Sequence, residues 1–272
     1  MSEAIKKCWQ EYAPDITRAL PWLRGETVFR AALRRMVMLS TALSWGAQRL
    51  QRAHQLTDTE GNIFASIAAE CGLRLRCEGK LPAGALVVVA NHPTGPMDGV
   101  CMGAWLFSQR SDVRILTTDA LAQIPCFRNV VIGLSLYDGI EAVGQNSRVL
   151  LQAYRHLRKG GCLAVFPGGT AAWRRRDGVV READWSDAMF QLAERSHAAL
   201  GVISINAKNP PWLALLMSMH SFVRTLLMGW SFFFARQTEH RIRWRGVIAR
   251  DASESMAQWV KRCERISSSM RD

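Results

Sequence analysis

Apolar residues recur at two different spacings along the chain, and the spacing changes near Leu73. From Glu26 to about His54 they stand three, four or seven positions apart, a pattern typical of one helix face. The residues of this N-terminal stripe are Phe29, Leu33, Met36, Leu39, Leu43 and Leu50. Beyond Leu73, short apolar runs alternate with segments of helical spacing, which predicts strands and helices in turn.

The predicted strands are short and apolar, and helical segments separate most of them. The strands are Leu73–Cys77, Ala85–Ala90, Val113–Thr117, Cys162–Phe166, Gly201–Asn206 and His240–Ile248. The helices are Val100–Arg110, Gln145–Lys159, Trp185–Ser196 and Ser253–Met270. This alternation predicts an α/β fold in which a layered, largely buried sheet is flanked by helices. We divide the chain into an N-terminal amphipathic helical extension, residues 1–60, and one domain of catalytic size, residues 61–272.

Two apolar segments raise the question of a membrane. The arginines that flank the N-terminal stripe are Arg30, Arg34, Arg35, Arg49 and Arg52. A core-packing helix and a helix in the lipid headgroup layer both fit this stripe, because arginine pairs with lipid phosphate. The second segment, Pro211–Ala235, is nearly all apolar but carries His220 and Arg224 near its middle. Because a charged residue at mid-span is costly, we expect a buried or interfacial helix there and not a membrane span.

The charge of the chain calls for an anionic partner. Its 35 Lys and Arg exceed its 23 Asp and Glu, which gives a net charge of +12 and a pI near 10.0. Nucleic acid, an acidic membrane surface and a phosphorylated substrate would all meet this charge. The ten Trp residues favour a membrane interface. No nucleic-acid partner is expected, because the sequence has no helix-turn-helix texture, zinc pattern or aromatic RNA-binding signature.

The cysteines and the N-terminus predict the compartment. Seven Cys form an odd set without a Cys-x-x-Cys pair, so neither a disulfide framework nor a zinc site is expected. The first 25 residues lack an apolar core of secretory length and carry acidic residues, so no cleavable signal is visible. We therefore expect the protein to face a reducing cytoplasm.

The segment Asn91–Gly99 places polar turn formers directly after the apolar run Ala85–Ala90. Active-site groups are often carried by such loops, because a rigid buried strand holds them in place. His92 can exchange a proton near neutral pH, and Asp98 can fix its tautomer and stabilise its charged form. A helix cap or an Asx turn is the structural alternative for Asp98.

A second loop is built in a similar way after Cys162–Phe166. Pro167 is followed by two adjacent glycines, Gly168 and Gly169, which allow a ligand to approach the backbone closely. The arginine run at 174–176 adds planar donors for phosphate or carboxylate. A tight turn followed by a solvated basic loop fits this segment as well.

Together the two loops resemble the lysophospholipid acyltransferase superfamily. The motif Asn-His-Pro-Thr-Gly-x-x-Asp-Gly starts at Asn91, and Phe-Pro-x-Gly starts about 75 residues later at Phe166, each after a strand. The chain is most similar to the hemolysin-like bacterial branch of the 1-acyl-glycerol-3-phosphate acyltransferases. The resemblance runs from about Leu73 to Ile248, roughly two thirds of the chain.

The resemblance implies a glycerolipid acyltransferase-like fold that transfers a fatty acyl group to a hydroxyl of a lysolipid. The acyl donor would be acyl-CoA or acyl-carrier protein, without a metal or a further cofactor. His92 would be the general base, Asp98 would orient it, and backbone donors would stabilise the oxyanion. The residues implied in substrate binding are Asn91, Thr94, Gly95, Phe166, Pro167, Gly168, Gly169, Thr170, Arg174, Arg175 and Arg176. The expected location is the cytoplasmic face of the inner membrane, peripheral or monotopic, with residues 1–60 as the membrane-association segment and residues 61–272 as the acyltransferase domain.

The sequence departs from the superfamily pattern at three places. Five residues separate His92 from Asp98 where the common form has four, a spacing that the hemolysin-like branch shares. Gly168 stands where the usual Phe-Pro-Glu-Gly-Thr has Glu. No Gly-x-x-Phe-x-x-Arg block is found between residues 125 and 136, although Phe127 and Arg128 lie there. The change at Gly168 leaves open a lipid-binding relative without catalysis. Lysophosphatidate, a lyso-ornithine lipid and other lysolipids remain possible acceptors.

Overall fold

The computed structural model describes residues 27–32, 43–56, 61–122, 125–135, 140–174, 179–210, 212, 230 and 239–269. Residues 28–32 are helical. The longer and later helices are α1 Leu43–Leu56, α2 Ile63–Cys71, α3 Pro96–Gln109, α4 Asp119–Ala122, α5 Ile140–Arg158, α6 Ala188–Ser196 and α7 Met256–Ser268. The strands are β1 Arg74–Glu78, β2 Leu86–Ala90, β3 Val113–Thr118, β4 Val131–Leu134, β5 Cys162–Val165, β6 Trp173–Arg174, β7 Val180–Arg181, β8 Ala199–Asn206 and β9 Glu239–Val247. A 3₁₀ turn spans Pro125–Phe127.

Seven strands form one mixed sheet in the order β1-β9-β8-β2-β5-β3-β4. Each neighbouring pair is parallel except β8 and β9, which run antiparallel. The strands β6 and β7 pair separately as a small antiparallel hairpin. Helices cover the sheet on both faces, so the predicted α/β layered fold is confirmed.

Strand β2 lies at the centre of this sheet and is buried on both faces. Leu86, Val88 and Ala90 belong to the core that includes α2 and α3. Val87 and Val89 belong to the opposite core, with α5, α6 and α7. A parallel strand covered by helices on both sides favours a continuous apolar run, and all five residues of β2 are buried. This strand therefore gives the loop that follows it a rigid base.

Helix α3 begins earlier than the apolar pattern predicts. The expected start was Val100, but the helix begins at Pro96, with Gly95 as its N-cap residue. Proline is favoured in the first helical turn, because its fixed φ suits the helix and its missing N–H would have no intrahelical partner there. The correction matters for the chemistry, because it places Asp98 in the first turn of α3 and not in the loop.

Only parts of the two apolar segments fall within the described residues. The end of the N-terminal stripe packs into the protein, because Leu50 and Ala53 of α1 belong to the same core as α2. Val28 and Phe29 at its start are 87% and 75% exposed. Most of Pro211–Ala235 lies outside the described residues. In the portion of the chain that the structure describes, every helix is too short or too polar to cross a bilayer.

Candidate active site

The loop between β2 and α3 contains His92, and it turns back at Gly95 before α3 begins at Pro96. Gly95 has a φ of 105°, a backbone conformation that residues other than glycine rarely adopt. This turn brings the Asp98 carboxylate within 2.8 Å of His92, between Oδ2 and Nδ1. The longer spacing between the two residues therefore still lets them meet.

Asp98 also holds the backbone of this loop. Its Oδ2 accepts hydrogen bonds from the N–H of Thr94 at 2.7 Å and the N–H of Gly95 at 2.9 Å. Its Oδ1 accepts one from the Thr94 hydroxyl at 2.5 Å. Asp98 thus caps the N-terminus of α3 and contacts His92 at the same time. Its role in orienting His92 for catalysis stays a prediction.

The partners of Asp98 keep its buried carboxyl ionised. Burial opposes the charge, but hydrogen bonds and charge interactions from His240 and His92 hold the pKa of this carboxyl far below its usual range. The negative charge also lies at the N-terminus of α3, where the helix dipole favours it. A permanently charged acceptor next to Nδ1 selects the tautomer of His92 that carries its proton on Nδ1.

The ring of His92 is held by packing as well as by Asp98. Phe166 from the second loop stacks on it, with ring centroids 4.0 Å apart and planes 10° from parallel. The side chain of His92 is 15% exposed, whereas that of Asp98 is fully buried. With Nδ1 bound to the carboxylate, Nε2 is the ring nitrogen left to accept a proton. Within the described ranges, Nε2 has no hydrogen-bond partner.

His240 is a member of this site to which the sequence analysis gave no role. It lies on β9, is fully buried, and places Nε2 3.3 Å from Asp98 Oδ1 and 3.1 Å from Thr94 Oγ1. Asp98 therefore lies between two histidines. The alternation along β9 signals only that His240 is buried, because Ile242 is buried on the same side while Arg241 is exposed.

The second loop reaches His92 through its backbone. The Phe166 carbonyl accepts a hydrogen bond from the N–H of Gly169, which has a φ of 67° and closes a tight turn. Just before β6, the N–H of Ala172 donates to the His92 carbonyl at 2.7 Å. The predicted Gly-Gly turn is therefore present, and it brings Phe166 against the histidine.

Glu182 is a second residue that the sequence analysis missed. Its Oε1 accepts a hydrogen bond from the backbone N–H of His92 at 2.5 Å, and its Oε2 accepts one from Trp185 Nε1 at 3.2 Å. Burial raises the pKa of Glu182, although these hydrogen bonds lower it in part. The only sequence signal was an acidic residue close after a basic loop.

The other predicted binding residues are distributed unevenly around His92. Asn91 faces the fold: its side chain bonds both backbone groups of Ile205, and Ser267 donates to it at 3.1 Å. Thr94 is 1% exposed and bonds Asp98 and His240. Arg174 has its backbone in β6, while Arg175 and Arg176 lie outside the described residues. A direct contact of any of them with substrate stays a prediction.

The second-loop residues Pro167, Gly168 and Thr170 complete the predicted set. The carbonyl of Pro167 accepts a hydrogen bond from the N–H of Ser186 at 3.1 Å, and Thr170 is exposed.

Across the part of the chain that is described, no group of three His, Cys, Asp or Glu residues is arranged to hold a metal ion.

Comparison with known proteins addresses this region directly. Residues 74–208 match the family model described as Acyltransferase, from β1 to just beyond β8, and so include both loops. Comparison with curated proteins gives no match. Among solved structures, the chain is similar to the 1-acyl-sn-glycerophosphate (LPA) acyltransferase PlsC from Thermotoga maritima. The two are 16% identical, with a TM-score of 0.46, and the alignment covers 88% of this chain and 93% of that one.

Proposed function

We propose that this chain, an O-acyltransferase of the lysophospholipid acyltransferase superfamily, moves a fatty acyl group from acyl-CoA or acyl-carrier protein to a hydroxyl of a lysolipid. The observation that carries this proposal is the pair of His92 and Asp98, 2.8 Å apart. A histidine paired with a buried carboxylate is suited to taking a proton from a hydroxyl.

In the proposed reaction, Nε2 of His92 takes the proton of the acceptor hydroxyl while the hydroxyl oxygen attacks the thioester carbonyl carbon. The C–S bond of the tetrahedral intermediate then breaks, and the leaving thiolate receives the proton back from the imidazolium. Asp98 stabilises that imidazolium through Nδ1, since it stays ionised throughout. General-base catalysis of this kind contributes about 10²- to 10⁴-fold to the rate.

The second loop is the proposed site for the anionic head of the acceptor. Phe166 places this loop against His92, which brings a bound acceptor close to the base. The arginines at 174–176 follow it in sequence and supply donors for a phosphate or carboxylate group. Removing these charges should raise the KM for the acceptor more than it lowers kcat, because they act on binding.

The N-terminal segment is the proposed contact with an anionic membrane surface on the cytoplasmic side. Val28 and Phe29 are strongly exposed, and Arg30 follows them directly. An exposed apolar pair beside arginine suits the headgroup layer. Binding to anionic liposomes, measured by co-sedimentation, should fall when Arg30, Arg34 and Arg35 are changed to Glu and persist when they are changed to Lys. Unchanged binding of the Glu variant would contradict this contact.

The experiment that tests the proposed reaction is thiol release from a long-chain acyl-CoA and from acyl-carrier protein, with a panel of lysolipids in mixed micelles. Wild type should release thiol only when a suitable lysolipid is present, and His92→Ala should lose this activity. His197→Asn is the matched control, because His197 is an exposed C-cap residue of α6 in a left-handed conformation that Asn tolerates.

Two results would contradict the proposal in different ways. Release that survives in His92→Ala would show that another group accepts the proton. Absence of release with every donor and acceptor, while liposome binding persists, would favour a lipid-binding relative without catalysis.

A further inference from the structure

The hairpin β6–β7 holds the backbone of His92 at both of its polar groups. Ala172, immediately before β6, donates its N–H to the His92 carbonyl at 2.7 Å. Glu182, immediately after β7, accepts the N–H of His92 on Oε1 at 2.5 Å. The two ends of one hairpin therefore fix the peptide units on either side of the proposed base.

Glu182 is anchored on its other side by a buried tryptophan. Its Oε2 accepts a hydrogen bond from Trp185 Nε1 at 3.2 Å, and Trp185 is 6% exposed within the core beneath α6. Among the described residues, Glu182 therefore accepts hydrogen bonds on both oxygens, from the N–H of His92 and from Trp185 Nε1. A carboxylate can accept on both oxygens, whereas an amide has one acceptor oxygen and one NH₂ group.

The carboxylate of Glu182 lies beside Gly168. A Cβ atom placed on Gly168 would lie 3.3 Å from Glu182 Oε2 and 3.1 Å from the Ala183 carbonyl oxygen. The conformation of Gly168 does not require glycine, unlike that of Gly169, which has a positive φ. A side chain at position 168 would thus be crowded by Glu182 and by the Ala183 carbonyl, which would have to shift by a few tenths of an ångström.

We propose that Glu182 is a positioning residue for His92 and that it supplies, from the far end of the hairpin, the carboxylate that the second loop lacks at Gly168. The inference rests on the proposed function, because it assigns Glu182 to the same reaction. The distances allow either position, 168 or 182, to supply this carboxylate, because a glutamate carboxylate oxygen lies about 3–4 Å from its own Cβ. A Glu at position 168 could therefore place a carboxylate beside the present one, since Glu182 Oε2, the oxygen bound to Trp185, lies 3.3 Å from that Cβ.

The carboxylate has two effects on the proposed base. It fixes the main chain from which the imidazole projects, so the ring keeps its alignment between Asp98 and Phe166. Its negative charge also favours the imidazolium that forms during proton transfer, because the two groups attract each other in a partly buried site. Both effects act on kcat and leave the binding of the acyl donor nearly unchanged.

An exchange of carboxylates between the two positions tests this inference. Glu182→Ala should lower kcat by about 10- to 100-fold, the loss expected for a hydrogen bond to a charged group, with little change in KM for the acyl donor. Gly168→Glu alone should also lower kcat, because the new side chain crowds Glu182 and its charge repels that carboxylate. The double variant, Gly168→Glu with Glu182→Ala, should recover about tenfold or more over Glu182→Ala.

Glu182→Gln and Asp184→Asn complete the set. Glu182→Gln should retain part of the activity, because it keeps one acceptor oxygen but leaves one of the two donors unpaired. Asp184→Asn is the matched control and should behave as wild type, because this nearby carboxylate is 91% exposed and bonds Lys261 at 2.8 Å.

Amide hydrogen exchange at His92, followed by NMR, gives a second measurement that does not depend on turnover. Exchange should accelerate in Glu182→Ala and slow again in the double variant. An unchanged exchange rate in Glu182→Ala, a change confined to KM, or a double variant no better than Glu182→Ala would overturn the inference. If wild type catalyses no transfer while Glu182→Ala still exposes the His92 amide, the proposed function has failed and only the tether to Glu182 stands.

Discussion

Two regions meet at His92, and they hold it in different ways. In the first loop, the partners lie close in sequence: Asp98 is six residues from His92 and four from Thr94. The hairpin region reaches the same histidine from 90 residues away through Glu182, and it contacts backbone N–H and carbonyl groups. The first loop thus supplies the proposed reactive pair, His92 and Asp98, while the distant region supplies the contacts that hold the His92 backbone.

The difference predicts how damage to each region will appear. A change in the reactive pair removes a proton-transfer partner and leaves buried donors unpaired, so both activity and stability should suffer. A change in the support leaves the pair in place but loosens it, so kcat should fall by a smaller factor. Four measurements test this separation.

The largest effect is expected for Asp98→Asn. An amide offers its NH₂ group to a position where Thr94, Gly95 and both histidines already present donors, and it no longer selects the tautomer of His92. We expect kcat to fall by about 10⁴-fold, the order found when a triad carboxylate becomes an amide. The free energy of unfolding should fall by about 3–5 kcal/mol, because a buried charge network loses a partner.

Denaturant unfolding and acyl-transfer kinetics on the same preparation measure both losses. Asp184→Asn is the control, since Asp184 pairs with Lys261 at 2.8 Å but is 91% exposed. Its effect on stability should be below about 1 kcal/mol. Wild-type kcat in Asp98→Asn would remove Asp98 from the reaction.

His240→Phe should have the next largest effect. Phenylalanine keeps a ring in the buried space but removes the Nε2 contact to Asp98 at 3.3 Å and to Thr94 at 3.1 Å. We expect kcat to fall by about 10- to 100-fold, with KM nearly constant, because a hydrogen bond to a charged group is lost. His240→Gln can restore a donor and should recover part of kcat. Equal loss in the two variants would show that packing, and not the donor, is what His240 supplies.

The sequence was sufficient to predict that His92 and Asp98 meet, because the signal for this contact is local. The apolar run Ala85–Ala90 before Asn91 predicted a strand in a largely buried sheet, and β2 is buried along its whole length. The loop after it holds His92 and Asp98 within one short segment, so their meeting depends on one turn at Gly95. The start of α3 was predicted too late, because the apolar pattern does not register a proline and a carboxylate cap.

The supporting residues could not be identified because their positions depend on the order of strands. His240 reaches Thr94 across 146 residues and Glu182 reaches His92 across 90. Each contact exists only after the sheet has assembled with β9 beside β8 and the hairpin beside the loop. No local spacing records such a juxtaposition. Strand β4 was also missed, since it is a strand of four residues at the edge of the sheet, where it pairs with β3.

Phe166→Leu should give a smaller effect than either polar variant. Leucine keeps most of the apolar contact but loses the ring stacked on His92 at 4.0 Å. Such stacking is worth about 0.5–1.5 kcal/mol, so kcat should fall by roughly 2- to 12-fold. Phe166→Tyr keeps the ring and should stay close to wild type in the same assay. A loss in Phe166→Leu that appears only as a raised KM for the acceptor would place this side chain in binding instead of support.

The smallest effect is on the pH dependence of stability, and its sign is expected to be opposite for Asp98 and Glu182. Asp98 has a pKa below its usual range, so its contribution to stability is full above the unfolded value of about 3.9 and is lost as pH falls below it. Burial raises the pKa of Glu182. Its contribution is therefore full below the unfolded value of about 4.3 and is lost as pH rises through the folded pKa.

Unfolding free energies of wild type, Asp98→Asn and Glu182→Gln, measured by denaturant titration from about pH 3 to about pH 8, test this opposition. The unfolding free energy of wild type minus that of Asp98→Asn should grow with rising pH at the acidic end of this range and then level off. The unfolding free energy of wild type minus that of Glu182→Gln should decrease as pH rises. Equal slopes for the two variants would mean that burial does not dominate at Glu182, and that the hairpin holds His92 with a carboxylate as strongly stabilised as the one in the first loop.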